Sequence, residues 1–526
     1  MGNTSKKLGV LLTYLDSENL LLPEIQRDFV WDKKNILKLF DSLYHELPIG
    51  YVLVWKAKHS VGAKRLSAPI HQIGKPLDDF FGYLLDGQQR LTAVKLVRDD
   101  PDNYPLMFNM LSNINNEEPF IWKAGRNENS PWYIPVSRVL NSGFHPMDVI
   151  DELRKVEEYD QEVHRSEIDR GLRRLQDILR YEIGIIEYDE DDYKKATELF
   201  IRFNSTGKKL RKPELALAQL ALAAPTLVSK GIGDLEEHHP GFLFTKPFLL
   251  QCLVSIHATR MKIDQPERLW EKSDERSIRS SWKNTEKGVD RIVEFLTGTI
   301  QWDATSWVPS MVTLVPLIYI FGIGGKPNPE ERRLVKKWLM LANLRSIFTG
   351  KGYHKFEALF RYLKNEPSIE TLWRYTHRDF RPIKIKSEDF NTKRRSGAVM
   401  SLYIAMLRGQ HAEDWKRGTP LNGRVVGDNA ELQVHHFFPQ ALLRKNRFSS
   451  DDINTFANYT IISKSTNLEC RAEEPAEYIK RLKIDQKHLK AQCIPLDQNL
   501  LTVDRYKDFL EERRNLLALH ANKFIQ

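Results

Sequence analysis

The residues best equipped for chemistry lie towards the C-terminus. His435 and His436 are adjacent and lead into Phe437-Phe438-Pro439, while Asn458-Tyr459 and Ser463-Lys464-Ser465-Thr466-Asn467 follow. One imidazole can ligate a divalent cation while its neighbour acts as a base near neutral pH. A side-chain amide oxygen suits a hard cation such as Mg2+. The other asparagine can then hold the basic imidazole by a hydrogen bond. Neighbours on a strand point to opposite faces, so both rings reach one site only where the strand gives way to a turn. Such a set fits hydrolysis of a phosphodiester at a ββα-metal site. There a base generates hydroxide and one metal stabilises the leaving oxygen. A histidine pair alone carries little weight, and His238-His239-Pro240 reads as a loop.

A second candidate stretch runs from Phe80 to Val94 and contains Asp86-Gly87-Gln88-Gln89-Arg90. It reads as a short apolar strand, a tight polar turn and the start of a helix. Gly87 lets a backbone approach a ligand closely, and the first free N–H groups of a helix attract an anion. Arg90 is placed to reach phosphate oxygens with a bidentate fork. The competing reading is a plain turn in which Asp86 caps the helix.

The elements that must carry these residues fall into three stretches of the 526-residue chain. Residues 1–212 mix strands and helices. Asp32 is expected to cap a helix over Lys33–His45, strands are expected over Tyr51–Trp55 and Tyr181–Tyr188, and a charged helix over Met147–Leu179. Lys56–Lys75 is polar and reads as a loop. Residues 213–386 are mainly helical, with basic runs at Lys351–Lys355 and Arg378–Lys386, and another following at Lys393–Arg395, that could line a nucleic-acid path. Residues 387–526 form a third unit. It holds strands at Leu432–Pro439 and Asn458–Ile462 and helices at Ser396–Leu407, Glu473–Leu482 and Val503–Leu519.

The net charge of +9, from 79 basic and 70 acidic residues, permits a polyanionic partner. Cys252, Cys470 and Cys493 form no CxxC pair, which argues against a cysteine-ligated zinc site and fits a reducing cytoplasm. The apolar run Leu8–Leu15 is too short for a signal peptide, and no apolar run is long enough to span a membrane.

With these motifs quoted, the chain resembles the GmrSD family of type IV, modification-dependent restriction endonucleases, an architecture shared by SspE-like proteins. The N-terminal resemblance rests on Pro23–Trp31 with Gln26 and Arg27, the Asp86–Arg90 turn, and Phe203-Asn204-Ser205-Thr206-Gly207-Lys208-Lys209-Leu210. The C-terminal resemblance rests on His435–Pro439, Asn458 and Asn467. It implies an α+β multidomain protein with a ParB/sulfiredoxin-like N-terminal domain, a helical middle and an HNH (ββα-metal) C-terminal domain. The N-terminal domain is then expected to bind and hydrolyse GTP or another NTP. Asp86, Gly87, Gln88, Gln89 and Arg90 would serve the nucleotide, with Gln26, Arg27 and Asn204 close by.

The resemblance further implies His436 as general base, His435 and Asn467 as ligands of Mg2+ or Mn2+, and Asn458 as the group orienting His436. Many HNH enzymes carry Asp at the position of His435. The expected function is a nucleotide-regulated, metal-dependent DNA endonuclease in anti-phage defence. It would nick or cleave double-stranded DNA and sense a modification such as phosphorothioate or glucosylated hydroxymethylcytosine, as a monomer or a homo-oligomer. An alternative is a ParB-like, NTP-dependent DNA-binding switch without nuclease activity.

Overall fold

The computed structural model describes the chain except residues 1, 24–28, 57–62, 65–79, 124–129, 191–194, 197, 201–210, 264–265, 349–352, 394–396 and 422–431. It is a multidomain α+β protein. It divides into two compact units: residues 1–233 with 264–274, and residues 234–263 with 275–526. The helical stretch expected over 213–386 and the C-terminal unit expected over 387–526 thus fall largely within one compact body.

Unit one is built on a six-stranded mixed sheet. Its strands are β1 (Gly2–Lys7), β2 (Leu20–Pro23), β3 (Val52–Lys56), β4 (Ala63–Lys64), β5 (Gly82–Asp86) and β9 (Glu182–Asp189), in the order β1-β9-β3-β5-β2-β4. Central β3 is buried from Val52 to Trp55, as a strand covered on both faces must be. It pairs parallel with β9 and antiparallel with β5, and its register with β5 shifts between Leu53 and Val54. A smaller antiparallel sheet orders β6 (Leu106–Asn109) between β7 (Phe120–Trp122) and β8 (Tyr133–Pro135).

Helices α1 (Leu8–Asp16), α2 (Lys33–Tyr44) and α3 (Gln88–Asp99) bury one face each, with Leu11, Leu12, Phe40, Leu91 and Val94 joining Val54, Leu84 and Ile185 in one core. Asp32 caps α2 as expected, its carboxylate accepting from the Asn35 N–H at 3.0 Å.

One expectation changes, and one strand lies where the sequence pattern carries no signal. The helix expected over Met147–Leu179 is two helices, Pro146–Leu153 and Gln161–Asp177, with a short 3-10 turn after the second. Asp160 starts the second helix by accepting from the N–H groups of Glu162 and Val163. Strand β1 was invisible to hydrophobic patterning, because Gly-Asn-Thr-Ser-Lys-Lys has no apolar alternation. It forms by backbone pairing along β9, from Gly2 opposite Glu187 to Lys7 opposite Glu182.

Unit two is mostly helical, with helices at Lys246–Ala258, Glu275–Phe295, Leu314–Gly324, Pro329–Leu344, Tyr353–Leu363 and Ile369–Thr376. It also holds the only two-stranded ladder among the described residues, β10 (Leu432–His436) against β11 (Tyr459–Ser463), followed by the helix Lys464–Cys470. The long final helix, Tyr506–Ile525, packs its Phe509 against Phe437 and Phe438.

Candidate functional site

The β10–β11 ladder is antiparallel, with His435 opposite Thr460 and His436 opposite Tyr459. Period-two alternation puts Gln433 and His435 on one side and His436 on the other. The helix Lys464–Cys470 reaches the first side, where Asn467 donates from Nδ2 to Gln433 Oε1 at 3.5 Å. Ser463 is the N-cap of that helix, accepting from the Thr466 N–H at 3.2 Å, so Asn467 is interior to the helix.

His436 is the last residue of β10, the strand end at which both imidazoles are expected to meet. The ladder runs through both residues, so their Cβ atoms leave on opposite sides. The rings are nevertheless near enough for charge on His436 to disfavour charge on His435. His435 is half-buried, and its Nε2 is enclosed without a hydrogen-bond partner. Burial, helped by His436, pushes its pKa down to about 3, so the ring is neutral at physiological pH.

His436 is buried, with its ring edge-on to Tyr459 at 5.1 Å. Its Nε2 lies 3.0 Å from Gln440 Nε2 and 3.1 Å from Asn454 Oδ1. Gln440 and Asn454 also bond one another at 3.2 Å. The hydrogen bond to His436 expected from Asn458 is thus supplied by residues the sequence did not single out. Asn458 is fully buried and spends its amide elsewhere. Its Oδ1 accepts from the Phe438 N–H at 2.8 Å, and its Nδ2 donates to Phe438 O at 3.2 Å and Ile453 O at 3.1 Å. It fixes the chain leaving β10 rather than the imidazole.

Three further residues build the ladder's surroundings. Gln492 closes the backbone of Ile461, accepting its N–H at 3.0 Å and donating to its carbonyl at 2.7 Å. Asp414 accepts from the Ser463 N–H at 2.7 Å and the Thr466 hydroxyl at 2.6 Å. Burial opposes its charge, but these bonds and those from the N–H groups of Arg417 and Lys416 outweigh it and hold its pKa below the usual carboxylate value. Arg513 is fully buried and donates to the carbonyls of Ala457 at 2.8 Å, Tyr459 at 2.6 Å and Gln492 at 3.3 Å. Burial lowers its pKa, although nearby Tyr403 and Cys493 oppose that shift.

In unit one, the Asp86–Arg90 stretch is the junction of β5 and α3. Gly87 takes φ +92° at the N-cap, where it has no side chain to cap the helix. The N-cap position thus falls to Gly87 and not to Asp86. A Cβ on Gly87 would stand 2.9 Å from Val52 Cγ2, which explains the glycine. Arg90 turns back across the junction. Its Nη1 donates to Ile49 O at 2.6 Å, and its Nη2 donates to Tyr51 O at 2.7 Å and Asp86 Oδ2 at 3.2 Å. Burial lowers the Arg90 pKa while Asp86 supports the charge. Gln88 and Gln89 are buried, and Gln89 Oε1 accepts from the Val30 N–H at 2.9 Å. Gln26, Arg27 and Asn204, expected beside this turn, lie outside the described residues.

Among the described residues, no cluster of three or more His, Cys, Asp or Glu side chains could hold a metal ion. No helix among them is long and apolar enough to cross a membrane.

The β5–α3 turn and the β10–β11–helix unit can be set beside known proteins. Residues 11–221 match the family model described as the GmrSD restriction endonuclease, N-terminal domain. The match spans the Asp86–Arg90 turn. The histidine ladder lies outside the matched span. The chain is also similar to the uncharacterised protein MJ0686 of Methanocaldococcus jannaschii, 22% identical over 541 aligned residues that cover 92% of this chain and 87% of the relative.

Proposed function

We propose that this protein is a divalent-metal-dependent DNA endonuclease of anti-phage defence. On this reading its nucleotide site lies in unit one and its cleavage site on the β10–β11 ladder. The observation that carries the reading is His435: a neutral imidazole whose enclosed Nε2 lacks a protein partner, on the ladder face that Asn467 reaches. An imidazole must be neutral to ligate a metal, and an orphaned buried ring nitrogen needs a partner. His435 and Asn467 would hold Mg2+ or Mn2+, with DNA oxygens completing a sphere that the protein leaves short of carboxylates. When bound, the cation supplies stabilisation of the leaving oxygen.

The chain's own part is to place and dry the base. His436 Nε2 lies between the donor Gln440 Nε2 and the acceptor Asn454 Oδ1; the tautomer with its proton on Nδ1 accepts from Gln440, and that form can take a proton from water. Tyr459 packs edge-on against its ring, and Asn458 keeps the Phe438 backbone from relaxing around it. In unit one, the N-terminal end of α3, which opens at Gln88, would face a nucleotide phosphate with its partial positive charge, and Gln88 and Gln89 line the same turn. The GmrSD-like match over residues 11–221 supports restriction of DNA as the biological role, with the modification sensed left to experiment.

Purified protein should be incubated with Mg2+ or Mn2+ and plasmid or phage DNA, modified and unmodified, with and without GTP or ATP. Nicking or cleavage that His436→Ala abolishes and nucleotide modulates supports the reading. Nucleotide-dependent DNA binding with no strand scission under any condition replaces it with a ParB-like switch.

A further inference from the structure

Unit two carries a pair of surface aromatics that the ladder does not use. Tyr362, on the helix Tyr353–Leu363, and Tyr375, on the helix Ile369–Thr376, stack with ring centroids 3.6 Å apart and planes 12° from parallel. Neither is core: they are 43% and 42% exposed. Each ring covers one face of the other, so the pair forms a flat platform that remains in solvent.

The sequence flanking the platform is rich in basic residues. The stretch 351–386 holds nine Lys and Arg against four Asp and Glu, a net of +5 within a chain whose total is +9. Arg361, Lys364, Arg374 and Arg378, which flank the two tyrosines in sequence, are all exposed. Arg374 pairs with Glu366 at 3.3 Å, an exposed contact that competes weakly with another anion. Of the acidic residues, Glu357 turns inward, accepting the N–H groups of Met261 and Lys262 at 2.9 and 2.6 Å.

We infer that this surface binds DNA through unpaired bases, one stacking on the tyrosine platform while the flanking arginines and lysine take the phosphates on either side. An aromatic face accepts any base, but only an unstacked base can reach it, whereas a duplex presents phosphates alone. A surface meant only to grip duplex would need the cations without the exposed rings. The inference rests on DNA being the partner of the cleavage site.

The test is binding of a fluorescent oligothymidylate and of a matched duplex to the full chain, without divalent metal so that binding is read apart from cleavage. Tyr362→Ala and Tyr375→Ala should each weaken single-strand binding about tenfold. Tyr375→Phe, which keeps the stack, should stay near wild type. Lys364→Glu should weaken binding and flatten its salt dependence. Single-strand affinity unchanged by both alanine substitutions, or no single-strand binding by the wild type, overturns the inference. If the tyrosine variants lose binding but the wild type with Mg2+ cuts nothing, the surface stands and the nuclease reading falls. If His436→Ala alone abolishes cutting while tyrosine variants bind normally, the reverse holds.

Discussion

Asn458 holds both backbone groups of Phe438, accepting its N–H at 2.8 Å and donating to its carbonyl at 3.2 Å. The pair ties the start of β11 to the chain leaving β10, across a connection that contains two short helices, Gln440–Lys445 and Ser450–Ile453. An amide with every donor and acceptor used and no solvent exposure is a structural clamp. Asn458→Ala should lower unfolding stability by about 2–4 kcal/mol, since buried backbone groups lose their partners. Denaturant titration gives the number. An unchanged midpoint would contradict the clamp.

His436 is expected to behave differently. His436→Ala should reduce DNA nicking at least about a hundredfold, the scale of losing a general base. Asn454→Ala should leave the base in place but loosen it, with a smaller loss of rate and a shifted pH profile. Plasmid nicking rates across a pH series separate the two. Equal losses with identical profiles would mean that Asn454 acts on the fold and not on the imidazole.

Arg513 offers a sharper stability test. Arg513→Met leaves the carbonyls of Ala457 and Tyr459 without their donor inside the core and should cost about 3–5 kcal/mol. Arg513→Lys should recover little, because one ammonium cannot repeat a planar fork that spans several carbonyls. A lysine variant as stable as wild type would show that charge alone matters there.

Asp414 makes the ladder–helix junction sensitive to acid. Its folded pKa is depressed, so the stability it contributes is present above the unfolded carboxylate value and is lost as pH falls through the folded one. Stability curves should therefore drop on acidification below about pH 4, where an unfolded aspartate titrates. Asp414→Asn should be weaker at neutral pH and flatter over that range. Parallel slopes for variant and wild type would remove Asp414 from the acid response.

The two motifs were readable because each is local. Asp86 to Arg90 spans one turn, and His435–His436 sits in one strand whose partner begins at Tyr459. The supporting cast was not readable, because its contacts join distant segments. Asp414 meets Ser463 across 49 residues, Gln492 meets Ile461 across 31, and Arg513 meets Tyr459 across 54. None of these residues stands in a motif, and a lone Arg in an amphipathic helix reads as a solvated charge. Asn454 and Gln440 were missed for a similar reason. Their meaning depends on the path between the strands, which patterning cannot trace. The mix of strands and helices was legible from apolar patterning, but β1 was not, since its side chains contribute no hydrophobic signal.

The junction of β5 and α3 offers a stability test that bears on its ligand chemistry. Gly87→Ala should cost about 1–3 kcal/mol, from left-handed backbone strain and the approach to Val52. Thermal melting with and without GTP reads both the loss and any nucleotide protection. A variant as stable as wild type would mean the junction relaxes at little cost.

The guanidinium of Arg90 holds the segment Ile49–Tyr51 against the start of α3, with Gly50 at φ +88° pressed close to Nη1. Three of the five guanidinium N–H groups are given to two carbonyls and one carboxylate. A phosphate at the turn would have to share Arg90 with the native path of residues 49–51. Loading of the turn and the position of that segment would then be coupled through one side chain, without any hinge.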